Sequence, residues 1–183
     1  GRMGKPVVMS TGMATLEETK EAINAIKEEG NNQIIVLHCT TNYPCPINEV
    51  NLKAMQTIKQ ECNVLVGYSD HTQGIEVTIM ATAIGAKAIE KHYTIDQEIK
   101  GNSPDHTSSL TPSQLKEVTE AIRFTEKSGI TNPIQAVHAY HKHRGTTPKY
   151  TDEQLEIALG DGIKKPTDSE LKIMKGIRKS ITA

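Results

Sequence analysis

Tryptophan is absent from this 183-residue chain, and phenylalanine occurs once. With so few aromatic platforms, nucleobase stacking has little to build on. A dominant charge is missing too: 21 basic residues against 22 acidic ones leave a formal net charge of -1. No basic stripe marks a nucleic-acid partner. No apolar run approaches the roughly 20 residues that a membrane span needs, so no membrane partner is expected. The opening Gly1-Arg2-Met3-Gly4-Lys5-Pro6 lacks the apolar stretch of a secretory signal. Cys39, Cys45 and Cys62 are odd in number and follow neither a disulfide framework nor a zinc-finger spacing. That usage suits a reducing, cytoplasmic setting. There is no Gly-rich phosphate loop. The first residue is not Met and a strand begins within a few residues of it, so the chain reads as cut from something longer.

What is present alternates between two periods. Pro6 to Ser10, Gln33 to His38, Asn63 to Tyr68 and Ala86 to His92 are short apolar runs that read as buried strands. Between them, Thr15 to Gly30, Val50 to Cys62 and Gly74 to Gly85 carry apolar residues at helical spacing, the first with a Thr15/Glu18 capping box. A long polar loop runs to Thr111, where Thr111-Pro112-Ser113-Gln114 opens another helix that ends near Ser128-Gly129. Strands alternating with helices predict an α/β fold with a parallel sheet and right-handed crossovers. Four such units fit either a small doubly wound sheet or half of a (β/α)8 barrel, and periodicity alone does not choose between them. From Ile130 to Tyr150 the pattern fails. Pro133, Gly145, Pro148 and the run His138 to Arg144 read as an irregular, solvated surface insertion. Glu153 to Leu159 is expected to make one or two helical turns, and Thr167 to Gly176 a further helix.

Polar residues gather at the C-terminal ends of the strands: Ser10-Thr11-Gly12, His38-Cys39-Thr40-Thr41, Ser69-Asp70-His71 and Glu90-Lys91-His92. In parallel α/β folds ligands bind at that edge. Helix capping accounts for Thr15 and Thr111 but not for four consecutive strands ending in hydroxyl, imidazole or carboxylate groups. His71 and His92 end adjacent strands about 4.8 Å apart, close enough for two imidazoles to share a divalent metal. Two imidazoles with oxygen ligands suit Mn²⁺, Mg²⁺ or Fe²⁺ better than a closed zinc site. Glu90 shares a face with His92. Cys39 reads as a small core thiol, since no base or orienting partner accompanies it. Ser10 to Thr15 leads from strand to helix and offers a weak phosphate-binding signal.

At these residues the chain resembles the N-acetylneuraminate (sialic acid) synthase family. Lys5-Pro6-Val7-Val8-Met9-Ser10-Thr11-Gly12-Met13-Ala14 is similar to the fifth strand of that family's barrel. Leu37-His38-Cys39-Thr40-Thr41-Asn42-Tyr43-Pro44 is similar to the sixth, Gly67-Tyr68-Ser69-Asp70-His71-Thr72 to the seventh, and Ile89-Glu90-Lys91-His92-Tyr93-Thr94-Ile95-Asp96 to the eighth. Pro104-Asp105-His106 with Ser109-Leu110 follows, and Arg178-Lys179-Ser180-Ile181 resembles the junction before the family's antifreeze-like domain.

The resemblance implies a partial (β/α)8 TIM barrel holding strands five to eight only. Residues 1-129 would be the C-terminal half of the barrel, 130-152 an atypical insertion, and 153-183 the barrel end and linker. By position, His71 and His92 match metal ligands for Mn²⁺ or Mg²⁺. Glu90 and Asp105 match carboxylates that hold a metal-bound water, and Asp105 also reaches the sugar. Ser10, Thr41, Ser69 and Lys179 match phosphoenolpyruvate-binding positions, with Asn42 adjacent to Thr41, and Tyr43 matches a tyrosine near the amino sugar. The implied reaction condenses phosphoenolpyruvate with an N-acylated amino sugar of the N-acetylmannosamine type, giving N-acetylneuraminate and phosphate. Legionaminic, pseudaminic and spore-coat sugar synthases are alternatives, as is an inactive half-barrel that acts only as a partner. The family's first four strands, with further phosphate-binding lysines and an essential glutamate, have no counterpart here. The resemblance also implies a homodimer when full length, and no activity from this chain alone.

Overall fold

The computed structural model describes residues 1–97 and 105–163. Four strands, β1 (Val7–Ser10), β2 (Ile34–Cys39), β3 (Leu65–Asp70) and β4 (Ile89–Lys91), form one parallel sheet in the order β1-β2-β3-β4. Helices α1 (Leu16–Glu28), α2 (Lys53–Cys62) and α3 (Glu76–Ala83) are the crossovers. A doubly wound sheet reverses its strand order at a switch point. This one never does, and it curls as half of a barrel.

The strands show why one face is covered and the other open. Residues alternate across a strand. Val36, His38, Val66, Tyr68 and Asp70 point to the helix layer and are buried, whereas on the opposite face Val8 and Leu65 are 55% and 54% exposed, although Leu37, Cys39 and Ser69 of that face are buried. Gly67 belongs to that concave face. A Cβ there would run into the carbonyl of Ala88 and lie 2.6 Å from Leu37 Cδ2, so only glycine lets the Leu37 side chain cross to β3.

Local signals set the helix ends. Thr15 and Glu18 form the expected capping box of α1. α5 (Pro112–Ser128) starts with Pro112 after Thr111, whose N–H donates to Gln114 Oε1 at 2.8 Å, and it stops at Gly129 with φ of 65°. α2 starts three residues later than periodicity predicts. A 3-10 turn, Ile47–Glu49, and the positive φ of Asn51 intervene. The Asn51 side chain accepts from Gly162 N–H and donates to its carbonyl, which ties this corner to the segment after α7 (Asp152–Leu159). β4 is likewise shorter than the Ala86 to His92 run.

The segment from Ile130 to Tyr150 corrects the expectation of an irregular surface loop. It contains α6 (Pro133–Arg144), capped by Asn132, opened by Pro133 and closed by Gly145 in the left-handed region. Ala136, Val137, Tyr140 and His141 are buried against α3 and α5. His141 bonds to Thr146 Oγ1 at 2.8 Å, and its Nε2 lies 3.4 Å from the buried Glu76. His138 pairs with Asp152, and His143 stacks on Phe124. The histidine-rich run therefore breaks up into three separate environments. α4 (Asp105–Ser108) is a single turn ahead of α5. The helix expected over Thr167 to Gly176, and Lys179, lie outside the described residues. Among the described residues no helix is long and apolar enough to cross a membrane.

Candidate functional site

The C-terminal rim of β3 and β4 brings four of the sequence-predicted residues into contact. Ser69 and Glu90 are direct partners across the two strands, and the Ser69 hydroxyl donates to Glu90 Oε1 at 2.6 Å. His71 and His92 follow two residues beyond on each strand, with ring centroids 5.1 Å apart. Tyr43, from the loop after β2, covers both rings, at 4.1 Å from His71 and 5.3 Å from His92. It is joined to Pro44 by a cis peptide bond. Asp105 Oδ1, on α4, stands 4.0 Å from His92 Nδ1.

The hydrogen bonds fix how His71 presents its ring. Nδ1 lies 2.8 Å from the Thr40 carbonyl, which can only accept, so Nδ1 carries the proton. The Ser69 hydroxyl proton is committed to Glu90. In the neutral ring Nε2, 3.4 Å from Ser69 Oγ, is then the nitrogen that carries the lone pair. Metal-ligating histidines are oriented in this way, with the second nitrogen donating to a carbonyl. The backbone is held as well, because Cys45 N–H donates to the His71 carbonyl at 2.9 Å.

The two imidazoles and the carboxylates beside them thus have the donor chemistry that a divalent cation of the Mn²⁺ or Mg²⁺ kind takes. His71 and His92 would hold it. No compact group of three or more His, Cys, Asp or Glu side chains occurs among the described residues, so the remaining coordination positions would go to substrate and water.

The other expected positions lie further round the rim. Ser10 ends β1 and is exposed on the concave face, and Thr41 is exposed beside Gly12 at the end of β2. With β2 between β1 and β3 and Ser10 level with Gly67, Ser10 and Ser69 are about 12 Å apart by strand spacing and rise. Both groups line one edge, but only the β3–β4 group makes mutual contacts. Cys39 is buried beside His71, its sulfur 3.9 Å from Nδ1, and burial pushes its thiol pKa up, so it stays protonated. Burial also raises the Tyr43 phenol. A concavity of about 1070 Å³ lies at the opposite, N-terminal edge of the strands, and its titratable lining residues are Lys27 and Lys59. None of the rim residues lines it.

Sequence reasoning missed two features. One is the Thr40 carbonyl that sets the His71 tautomer. The other is the buried Lys91–Asp70 ion pair, 3.1 Å long, on the helix side of β3 and β4. Strand alternation was a usable signal for the second: Asp70 and Lys91 each precede a rim histidine and must face the opposite way.

Comparison with known proteins places this geometry. The NeuB family model matches residues 1–131. Over 100% of its length the chain is 41% identical to the N,N'-diacetyllegionaminic acid synthase of Campylobacter jejuni, of which it covers 46%. The crystal structure of a spore coat polysaccharide biosynthesis protein from Bacillus subtilis superposes with a TM-score of 0.70 at 32% identity, covering 94% of this chain and 44% of that one. An N-acetylneuraminic acid synthetase from Leptospira borgpetersenii, solved with citrate, gives a TM-score of 0.58 at 30% identity, covering 94% of this chain and 49% of that one. The chain spans about half the length of these relatives.

Proposed function

Because the chain belongs to the NeuB family, we propose that the intact protein condenses phosphoenolpyruvate with an N-acylated amino sugar to a nonulosonic acid, releasing phosphate. In this reading β1 to β4 are strands five to eight of a (β/α)8 barrel. The remaining strands supply the rest of the phosphate site, a homodimer completes it, and the protein works in the cytoplasm. The observation that carries the proposal is the contact set of Ser69, Glu90, His71, His92 and Tyr43 on the rim where such barrels do their chemistry.

A divalent metal held by His71 and His92 would supply Lewis-acid polarisation of the open-chain sugar's aldehyde. The methylene carbon of phosphoenolpyruvate bonds to that aldehyde carbon, whose oxygen takes up a proton to become a hydroxyl; water adds to the electron-poor enol carbon and gives up a proton, and phosphate leaves by C–O cleavage with the remaining hydroxyl proton as the ketone forms. Glu90, oriented by the Ser69 bond, holds the incoming water and takes its proton at a carboxylate oxygen. Ser10, Thr41 and Ser69 orient the phosphoenolpyruvate, as does Lys179 beyond the described residues. Asp105 and Tyr43 hold the sugar. For the sugar itself, the 41% identity to the legionaminic acid synthase favours a diacetamido substrate over N-acetylmannosamine.

The test is calorimetric titration of the intact protein with Mn²⁺, with and without phosphoenolpyruvate, beside the His71→Ala, His92→Ala double variant. Phosphate release is then assayed with N-acetylmannosamine and with the diacetamido sugar. Mn²⁺ binding lost in the double variant, and sugar-dependent phosphate release, support the proposal. Equal binding by the double variant, or release with neither sugar, rejects it.

A further inference from the structure

The Lys91–Asp70 pair lies one residue before each rim histidine and is among the most deeply buried charges described, with side chains 3% and 0% exposed. The two residues are direct partners in the β3–β4 register, so their side chains leave the sheet together on the helix side. Their bonds are not spread through the core. They converge on the residue that follows His71. Asp70 Oδ1 accepts from Thr72 N–H at 2.8 Å and from the Thr72 hydroxyl at 2.7 Å. Lys91 Nζ donates to the Thr72 carbonyl at 2.7 Å. The second carboxylate oxygen takes the Thr78 hydroxyl of α3 at 2.7 Å, which anchors the pair to the helix layer. The peptide after His71 is thereby held at both its groups, the His71 carbonyl by Cys45 N–H and the Thr72 N–H by Asp70, and Lys91 holds the carbonyl that follows.

We infer that Asp70 and Lys91 are positioning residues, which set the backbone on either side of the β3–β4 rim so that His71 and His92 present their rings at one spacing and His71 keeps its Nδ1 proton on Thr40. The inference rests on the proposed metal reading of those histidines. Burying a charge pair does little for stability compared with packing apolar groups of similar volume. A pair whose bonds end on the peptide next to a candidate ligand has a reason to be ionic: an apolar replacement cannot hold both the N–H and the carbonyl of Thr72. Groups of this kind, one step behind a metal ligand, change affinity about 10–100-fold when removed.

The test uses the double variant Asp70→Asn, Lys91→Met in the intact protein. It removes both charges at nearly constant volume and leaves no unpaired ion to prevent folding. Ile58→Val, buried in α2 away from the rim, is the comparison for a plain loss of stability. Mn²⁺ affinity is read by calorimetry, and the His71 ring tautomer by the chemical shifts of its ring nitrogens in metal-free protein. The expected result is at least about tenfold weaker Mn²⁺ binding and a mixture of His71 tautomers in the double variant, while Ile58→Val matches wild type in both. A folded double variant with wild-type affinity and an unchanged tautomer overturns the inference. If wild-type protein takes up no Mn²⁺, the metal reading of the site falls. The tautomer result then decides the positioning role by itself: a His71 that stays Nδ1-protonated in the double variant rejects it, and a tautomer mixture there upholds it.

Discussion

At single positions, the chemistry turns on which partner each polar atom has. Glu90 accepts the Ser69 hydroxyl's hydrogen bond beside the imidazoles. Glu90→Gln keeps the shape and loses the base. It is expected to lower kcat by about 10²–10⁴-fold, as removal of a general base does, with Mn²⁺ affinity changed far less. Steady-state kinetics and calorimetry on one preparation check both halves. His38 shows the opposite use of a histidine. It faces the helix layer, donates Nε2–H to the Val50 carbonyl at 2.8 Å, and is buried. Burial pulls its pKa below the ordinary 6.5, and the bond to Val50 only partly offsets this. The folded state then binds fewer protons than the unfolded chain as pH falls below 6.5, so stability present above that pH is lost towards acid. Denaturant midpoints between pH 7.5 and 5 are expected to fall less in His38→Gln than in wild type.

For the elements, apolar periodicity revealed most of the helices and strands but not every boundary. The strands beginning at Val7 and Ile34, and helices α1 and α5, are where the apolar runs and caps put them, because one face of each is buried, whereas β3 runs two residues later than the Asn63 to Tyr68 run. The start of α2 was hidden by Asn51, whose left-handed backbone depends on a distant partner, Gly162, that no local window contains. α6 was hidden for another reason. Its cap, its Pro at the first turn and its closing Gly were all in the sequence, but four basic residues at its end masked a buried stripe of Ala136, Val137 and Tyr140. The rim residues were legible as residue types at strand ends. Their mutual contacts were not, since these depend on register and on the Tyr43 loop. If α6 is an integral helix, its cap matters: Asn132→Ala removes the acceptor for Gln135 N–H and should cost about 1 kcal/mol. Thermal unfolding measures it. An irregular loop would show no change.

Viewed whole, the molecule has a covered convex side and an open concave one. Val8 and Leu65 stand in the open, and β1 and β4 each leave a ladder edge without a neighbour among the described strands. Unpaired edges and an apolar face favour association. This 20.1 kDa chain prepared alone is expected to sediment as a species larger than a monomer. Lys in place of both Val8 and Leu65 should shift it towards the monomer. A wild-type chain that stays monomeric at high concentration would show that the concave side is not adhesive.

The unbroken strand order also bears on synthesis. β2, β3 and β4 each pair with the strand made just before them, so these three pairings can form in the order of synthesis. Loops that close locally cost little entropy. The sheet can therefore be laid down in the direction of translation, one βα unit at a time, and the rim histidines of β3 and β4 would be among the last groups of the sheet to come together.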